Sequence, residues 1–343
     1  MKQLALLITI LSISLQSIAQ DKSSKIEDFI TEGIKLHDQK KYDEAISSYK
    51  EALKLDAGNA TANYELAFSL MSKGATKEAI PYLENVTKTK SSVNVNAFDM
   101  LGSIYDDMDQ KEKAIDYFKK GIEANPSYQR IYYNIALTYV RMGKEKEAAS
   151  YLVEALKRDP NHASSHRLYA RLMFQNPATK VDAVLAFCNF LILEPTSKRS
   201  ADAFKDLKTL LGSGVAQTDK GNNISIGSGT DTERNAANLT ISMSGLAAGL
   251  VPGLSETDKL AEQLKMIFST VAELSEKKTQ KDFFWSYYGD YFAKVSKTEY
   301  MPMIAHIVGF TANEKENQKW INDNQVQFVN FGKWEDVNSR KLK

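Results

Sequence analysis

KEKAIDYFKKGIEANPSY, residues 111–128, decides how this chain is read. On a helix Ala114 and Phe118 share a face, and Pro126 closes the segment, because proline cannot continue a helix but is tolerated at a turn or first helical position. The pair recurs as Ala45 with Tyr49, Ala79 with Leu83, Ala148 with Leu152 and Ala183 with Phe187, so successive anchors stand 34, 35, 34 and 35 residues apart. Such a period marks an array of helix–helix units, each stacking on the next to bury its apolar face. Upstream of each anchor a small residue, Gly33, Ala67, Gly102, Ala136 or Ala170, predicts close helix approach. Downstream the breaker returns as Pro126, Pro160 and Pro195, with Ala57 in the equivalent place, and Gly74 and Gly143 suit the short turns between paired helices.

With these positions in phase, YDEAISSYKEALKLDAGNA (42–60) and the run 111–163 resemble the tetratricopeptide repeat (TPR) family. The resemblance covers about residues 26 to 195, five repeats, and departs in the fifth, where FQNPATK inserts one residue in the turn and His166 stands at a usually large position. It implies an all-α superhelix of helix pairs whose concave groove, lined by first helices, binds peptides or helices of other proteins.

Positions one step beyond the core of each first helix are expected to face that groove. They are Tyr64, Phe68 and Met71 in the second repeat, Asp99, Ser103, Asp106 and Asp107 in the third, and Arg130, Tyr133, Asn134, Leu137 and Arg141 in the fourth. The fifth adds Arg167 and Arg171. This predicts a groove that is apolar, then acidic, then basic along its length, and that reads a peptide in one direction.

The flanks set the context. MKQLALLITILSISLQSIAQ has a lysine, an apolar run from Leu4 to Leu15 and a small-x-small pattern at Ser17-Ile18-Ala19, which reads as a signal peptide over 1–19 and an exported mature chain. The run is shorter than the ~20 residues that span a bilayer. Forty-four basic against 43 acidic side chains leave a formal charge of +1, which gives no global attraction to nucleic acid or an anionic membrane. The lone cysteine, Cys188, lies in an apolar helical run and has no internal partner, so it reads as a buried, inert thiol.

After Pro195, SKRSADAFKDLKTLLGSG (197–214) reads as a helix capping the repeat array, completing a domain over 20–211, and the Gly/Ser/Thr/Asn-rich 212–235 reads as a linker. AANLTISMSGLAAGLVPG fits strand and helix periods alike, with Gly245 and Gly249 suited to close packing. SETD at 255–258 opens an amphipathic helix in the manner of a capping box. KDFFWSYYGDYF (281–292) carries seven aromatic residues, apolar nearly all round, and reads as the core of a small helical domain over 236–343, with Trp285, Tyr288 and Tyr291 the ones able to reach a rim. Residues 255–337 also resemble C-terminal regions of exported repeat proteins of Gram-negative bacteria, a resemblance that confers no activity.

Chemistry-bearing motifs are few. His162 and His166 stand four apart but fall on a turn and a core position; His306 sits among apolar residues; Asp106 and Asp107 diverge by about 100° on a helix and form no acid/base pair. No phosphate loop, G-x-S-x-G or H-E-x-x-H occurs. The expectation is therefore a non-enzymatic scaffold of the bacterial cell envelope, without cofactor, catalytic residue or metal, holding a peptide or helix of a partner protein within an envelope assembly or secretion complex. The alternatives are an enzyme with its active site in the C-terminal half, and a structural subunit of an outer-membrane-associated complex.

Overall fold

A computed structural model describes residues 2–213, 215–218, 221–224 and 229–338, with side chains for 20–213 and 229–338. The side chains of the expected signal segment, and several residues of the expected 212–235 linker, lie outside the described residues. The chain forms two compact units, residues 1–144 and 145–343.

The first unit holds α1 (Lys2–Asp38), α2 (Tyr42–Leu55), α3 (Ala60–Ser72), α4 (Thr76–Thr87), α5 (Asn94–Asp107), α6 (Lys111–Ala124) and α7 (Gln129–Arg141). The small-residue rule explains its hairpins physically. A Cβ on Gly33 would meet the Tyr49 ring at 2.4 Å, and one on Gly102 would meet the Phe118 ring at 2.4 Å, so these glycines let an aromatic ring lie flat against the opposing backbone. Where the upstream residue is Ala67, the anchor carries the smaller Leu83, and both are fully buried. In these three pairs of the first unit the larger anchor goes with the smaller partner, as close packing demands.

The turns repeat as faithfully as the cores. Gly74 and Gly143 adopt φ of 91° and 68°, the left-handed region that glycine enters at least cost, and Lys40 and Asp109 adopt φ of 62° and 59° at the same point of the frame. The breaker carbonyls are tied back from six residues on: Asn63 Nδ2 donates to Ala57 O at 3.0 Å and Tyr132 Oη to Pro126 O at 2.9 Å.

The second unit begins with α8 (Glu145–Arg158) and the hairpin α9 (Ala163–Phe174) with α10 (Lys180–Leu193), joined by a 3₁₀ turn at Pro177–Thr179. There follow α11 (Lys198–Gly212), an antiparallel two-stranded ribbon of β1 (Val215–Thr218) and β2 (Gly221–Ile224), α12 (Thr232–Gly249) and α13 (Glu256–Lys277). A π-helical segment, Phe284–Gly289, leads into α14 (Asp290–Ser296), α15 (Met301–Val308), α16 (Glu314–Asp323) and α17 (Gln325–Asn338). The fold is all-α apart from that ribbon, which lies inside the stretch expected to be linker.

The aromatic segment is core, and Trp285, Tyr288 and Tyr291 reach no rim: they are 0%, 0% and 3% exposed. Phe283, Tyr287 and Tyr288 of the segment cover the fifth hairpin. His166 is fully buried and donates from Nε2 to Pro160 O at 2.9 Å, which leaves Nδ1 to accept from Tyr288 Oη at 2.7 Å. Tyr287 Oη donates to the same carbonyl at 3.0 Å, and Tyr169 stacks on Tyr288. Arg234 of α12 then binds Asp182 of α10 at 3.0 Å, Asp231 at 3.1 Å and Asp282 at 2.8 Å. The fifth hairpin is thus enclosed by the C-terminal helices within the unit 145–343.

Candidate functional site

The expected binding residues of the first unit lie on α3, α5 and α7. On α3, Phe68 stands 43% exposed and stacks on the His37 ring of α1 at 4.8 Å, while Tyr64 and Met71 are half-buried. His37 is fixed in turn by a 2.7 Å bond between Nδ1 and Ser69 Oγ. Ile34, one turn earlier on α1, is 39% exposed. The sequence reading missed Ile34, although the frame that selects Phe68 in the second repeat selects Ile34 in the first.

Of the acidic zone expected in the third repeat, Asp107 is exposed, whereas Asp99 and Asp106 are closed off. Asp99 is 2% exposed; Asn134 Nδ2 donates to its Oδ1 at 2.7 Å and Arg130 Nε lies 3.1 Å from its Oδ2. Burial pushes the Asp99 carboxyl above the usual range, and Asn134 and Arg130 pull it back down. Asp106, 5% exposed, binds Arg141 and lies 3.2 Å from Lys111 Nζ. Asp99 and Asp106, read as part of an acidic zone, instead form ion pairs with Arg130 and Arg141, read as part of a basic zone, that cross from one repeat to the next. The physical reason is spacing: 99 to 134 and 106 to 141 are each 35 residues, one repeat, so the side chains meet on neighbouring first helices.

The exposed surface of this strut is the Arg130 side chain, 67% accessible, and that of Arg141, 48% accessible. Tyr64, bonded to Asn96, lies within the fields of Arg130 and Asp99, and burial raises its phenol. Tyr128 lies in the fields of Asp99, Arg130 and Tyr64, and burial raises its phenol as well. Tyr133 and Leu137 are half-buried on α7.

Arg167 and Arg171 belong to the second unit, on α9. Arg171 is exposed, and half-buried Arg167 lies in the field of Glu194. The candidates for chemistry sit in structural roles. His306 donates from Nδ1 to Asn317 Oδ1 at 2.7 Å and stacks on Trp320 at 4.2 Å, while Asn317 Nδ2 caps the carbonyls of Gly309 and Phe310. Cys188 is buried, and burial pushes its thiol far above the ordinary range. Among the described residues no cluster of three or more His, Cys, Asp or Glu side chains could hold a metal ion, and no helix is long and apolar enough to cross a membrane.

Comparison with known proteins bears on the repeats. A TPR repeat model matches residues 33–74, and a tetratricopeptide repeat model matches 109–174. The chain is 34% identical over 98 residues to cell division cycle protein 27 homolog A of Arabidopsis thaliana and 31% identical over 94 residues to protein O-mannosyl-transferase tmtc2 of Xenopus laevis. These matches take in 28% and 26% of this chain and span 13% and 11% of those relatives. Similar solved structures include MamA, at 25% identity and TM-score 0.44 over 50% of this chain and 93% of that one. YrrB, described as a TPR protein with an unusual peptide-binding site, is 22% identical at TM-score 0.44, over 56% of this chain and 97% of its own. Pseudomonas aeruginosa pilF is 17% identical at TM-score 0.45, over 56% and 90%. Residues 33–74 and 109–174 of this chain are tetratricopeptide repeats.

Proposed function

We propose that the chain is a non-enzymatic scaffold of the bacterial cell envelope that holds a segment of a partner protein against the first helices of its repeats. The observation that carries this reading is Phe68: a large aromatic side chain, 43% exposed and fixed in place by His37 and Ser69, on the face the repeat frame assigns to binding. Tyr64, Met71 and Ile34 extend that face. Export rests on the sequence of residues 1–19, and the periplasm is the compartment it favours, with outer-membrane association as the alternative.

Two experiments test the reading. Capture of envelope proteins on the full mature chain and on its Phe68→Ala variant should recover a discrete partner with the first and lose it with the second, at unchanged helicity. Equal recovery removes this face from the account. Fractionation of cells before and after a high-salt wash places the protein, and a cytoplasmic location refutes the export proposal.

A further inference from the structure

The protein-binding reading leaves open what chemistry the partner presents, and the arrangement of charges on the first unit bears on it. Groove arginines invite the expectation of an acidic ligand. Here they are already engaged. Arg130 is held by Asp99, and Arg141 by Asp106 with Asp107 at 3.5 Å. A ligand carboxylate that drew Arg130 away would leave Asp99 buried with Asn134 as its remaining partner, and the loss would offset the new contact. The basic groups therefore act as struts between repeats, and their attraction for an incoming anion is largely cancelled by the carboxylates behind them.

Beside these struts, α1 and α3 present apolar side chains together with Asp38 and Glu65, two carboxylates that lie in each other's field. Among the described residues of the first unit, the large hydrophobic side chains classed as exposed are Ile34 and Phe68, at 39% and 43%. They stand on adjacent first helices, connected through the His37 ring that stacks on Phe68, and half-buried Ile30, Tyr64 and Met71 lie on the same two helices. A face with paired arginines and unpaired hydrocarbon gains most by burying hydrocarbon.

Resting on the protein-binding reading, we infer that the partner is a polypeptide segment presenting aliphatic or aromatic side chains to Ile34, Tyr64, Phe68 and Met71, and that its affinity is nearly independent of salt. The partner's polar side chains face solvent and contribute little to recognition.

The test uses the full mature chain, immobilised and panned against a random peptide library, with enriched sequences then synthesised and titrated by fluorescence anisotropy. Enrichment in Leu, Ile, Phe and Met is expected, with affinity changing less than about threefold between about 50 and about 500 mM NaCl. Phe68→Ala should weaken binding by about tenfold or more and Phe68→Leu by less, because the contact is one of apolar area. Enrichment in Asp and Glu, with affinity falling more than about tenfold over that salt range, overturns the inference and leaves protein binding intact. Failure to enrich any peptide, on a library that performs on a control repeat protein, overturns both.

Discussion

Gly102→Ala tests the packing logic of the repeats, because two effects of opposite sign meet at one methyl group. Alanine in a helix interior is favoured over glycine by about 1 kcal/mol, so an unobstructed substitution would stabilise α5. The new Cβ, however, would sit 2.4 to 2.7 Å from three ring carbons of Phe118, which is 1% exposed and has no room to retreat. Relieving such a contact takes a shift of roughly 1 Å in a close-packed interior, and overpacking of that kind costs about 1–3 kcal/mol. The upper part of that range outweighs the propensity gain, and the expected net loss is about 1–2 kcal/mol. The second repeat shows the remedy, since Ala67 is accompanied there by Leu83. Phe118→Leu should therefore rescue Gly102→Ala, with a coupling of about 1 kcal/mol or more in a double-mutant cycle read from urea unfolding by circular dichroism. A stabilised Gly102→Ala variant, or strictly additive effects, refutes the reasoning.

Further predictions concern the turns and the second unit. Lys40 holds a left-handed conformation, so Lys40→Gly should stabilise by roughly 0.5–1 kcal/mol after the entropic cost of glycine, seen as a higher unfolding midpoint. Tyr288→Phe removes the donor to buried His166 Nδ1 and should cost about 1–3 kcal/mol with the fold retained by circular dichroism. Arg234→Met strands Asp182 and should cost about 3–5 kcal/mol near neutral pH and above. Burial raises the Asp182 carboxyl to about 7 even with Arg234 pulling it down. The folded state therefore binds this proton more tightly than the unfolded chain, and the group's contribution to stability is greatest at low pH and declines as pH rises through about 7. The loss on removing Arg234 should accordingly shrink toward about pH 5, where the carboxyl is neutralised by a proton instead; a pH-independent loss in thermal unfolding contradicts this.

The repeats were legible because their constraints are local and periodic. Gly102 and the Ala114–Phe118 face are required by packing within one hairpin, Pro126 by the turn to the next helix, whose Tyr132 ties back its carbonyl, and the period shows which residues correspond. The bond between Asp99 and Asn134 and the pairing of Asp106 with Arg141 were less legible, although their signal was present: a 35-residue spacing in a chain with that period places two side chains side by side. Reading each helix face in isolation turned partners into separate zones. The aromatic segment shows a different limit. Its burial followed from hydrophobicity on every side, but the π-helical register of Phe284–Gly289 shifts the faces away from a 100° step, so the division into a packed side and a rim did not hold. The enclosure of the fifth hairpin by those aromatics joins residues more than a hundred positions apart, such as His166 and Tyr288, with no periodicity to announce it.

The central claim is that the face around Phe68 meets polypeptide. The most direct measurement replaces Phe68 with a photo-crosslinking amino acid in the full-length protein in living cells, with a matched replacement at exposed Asp202 on α11 as reference. The account predicts a discrete protein adduct from position 68, identified by mass spectrometry, and none of that identity from position 202. Equal labelling at both positions, or adducts at 68 that contain no polypeptide, would contradict it.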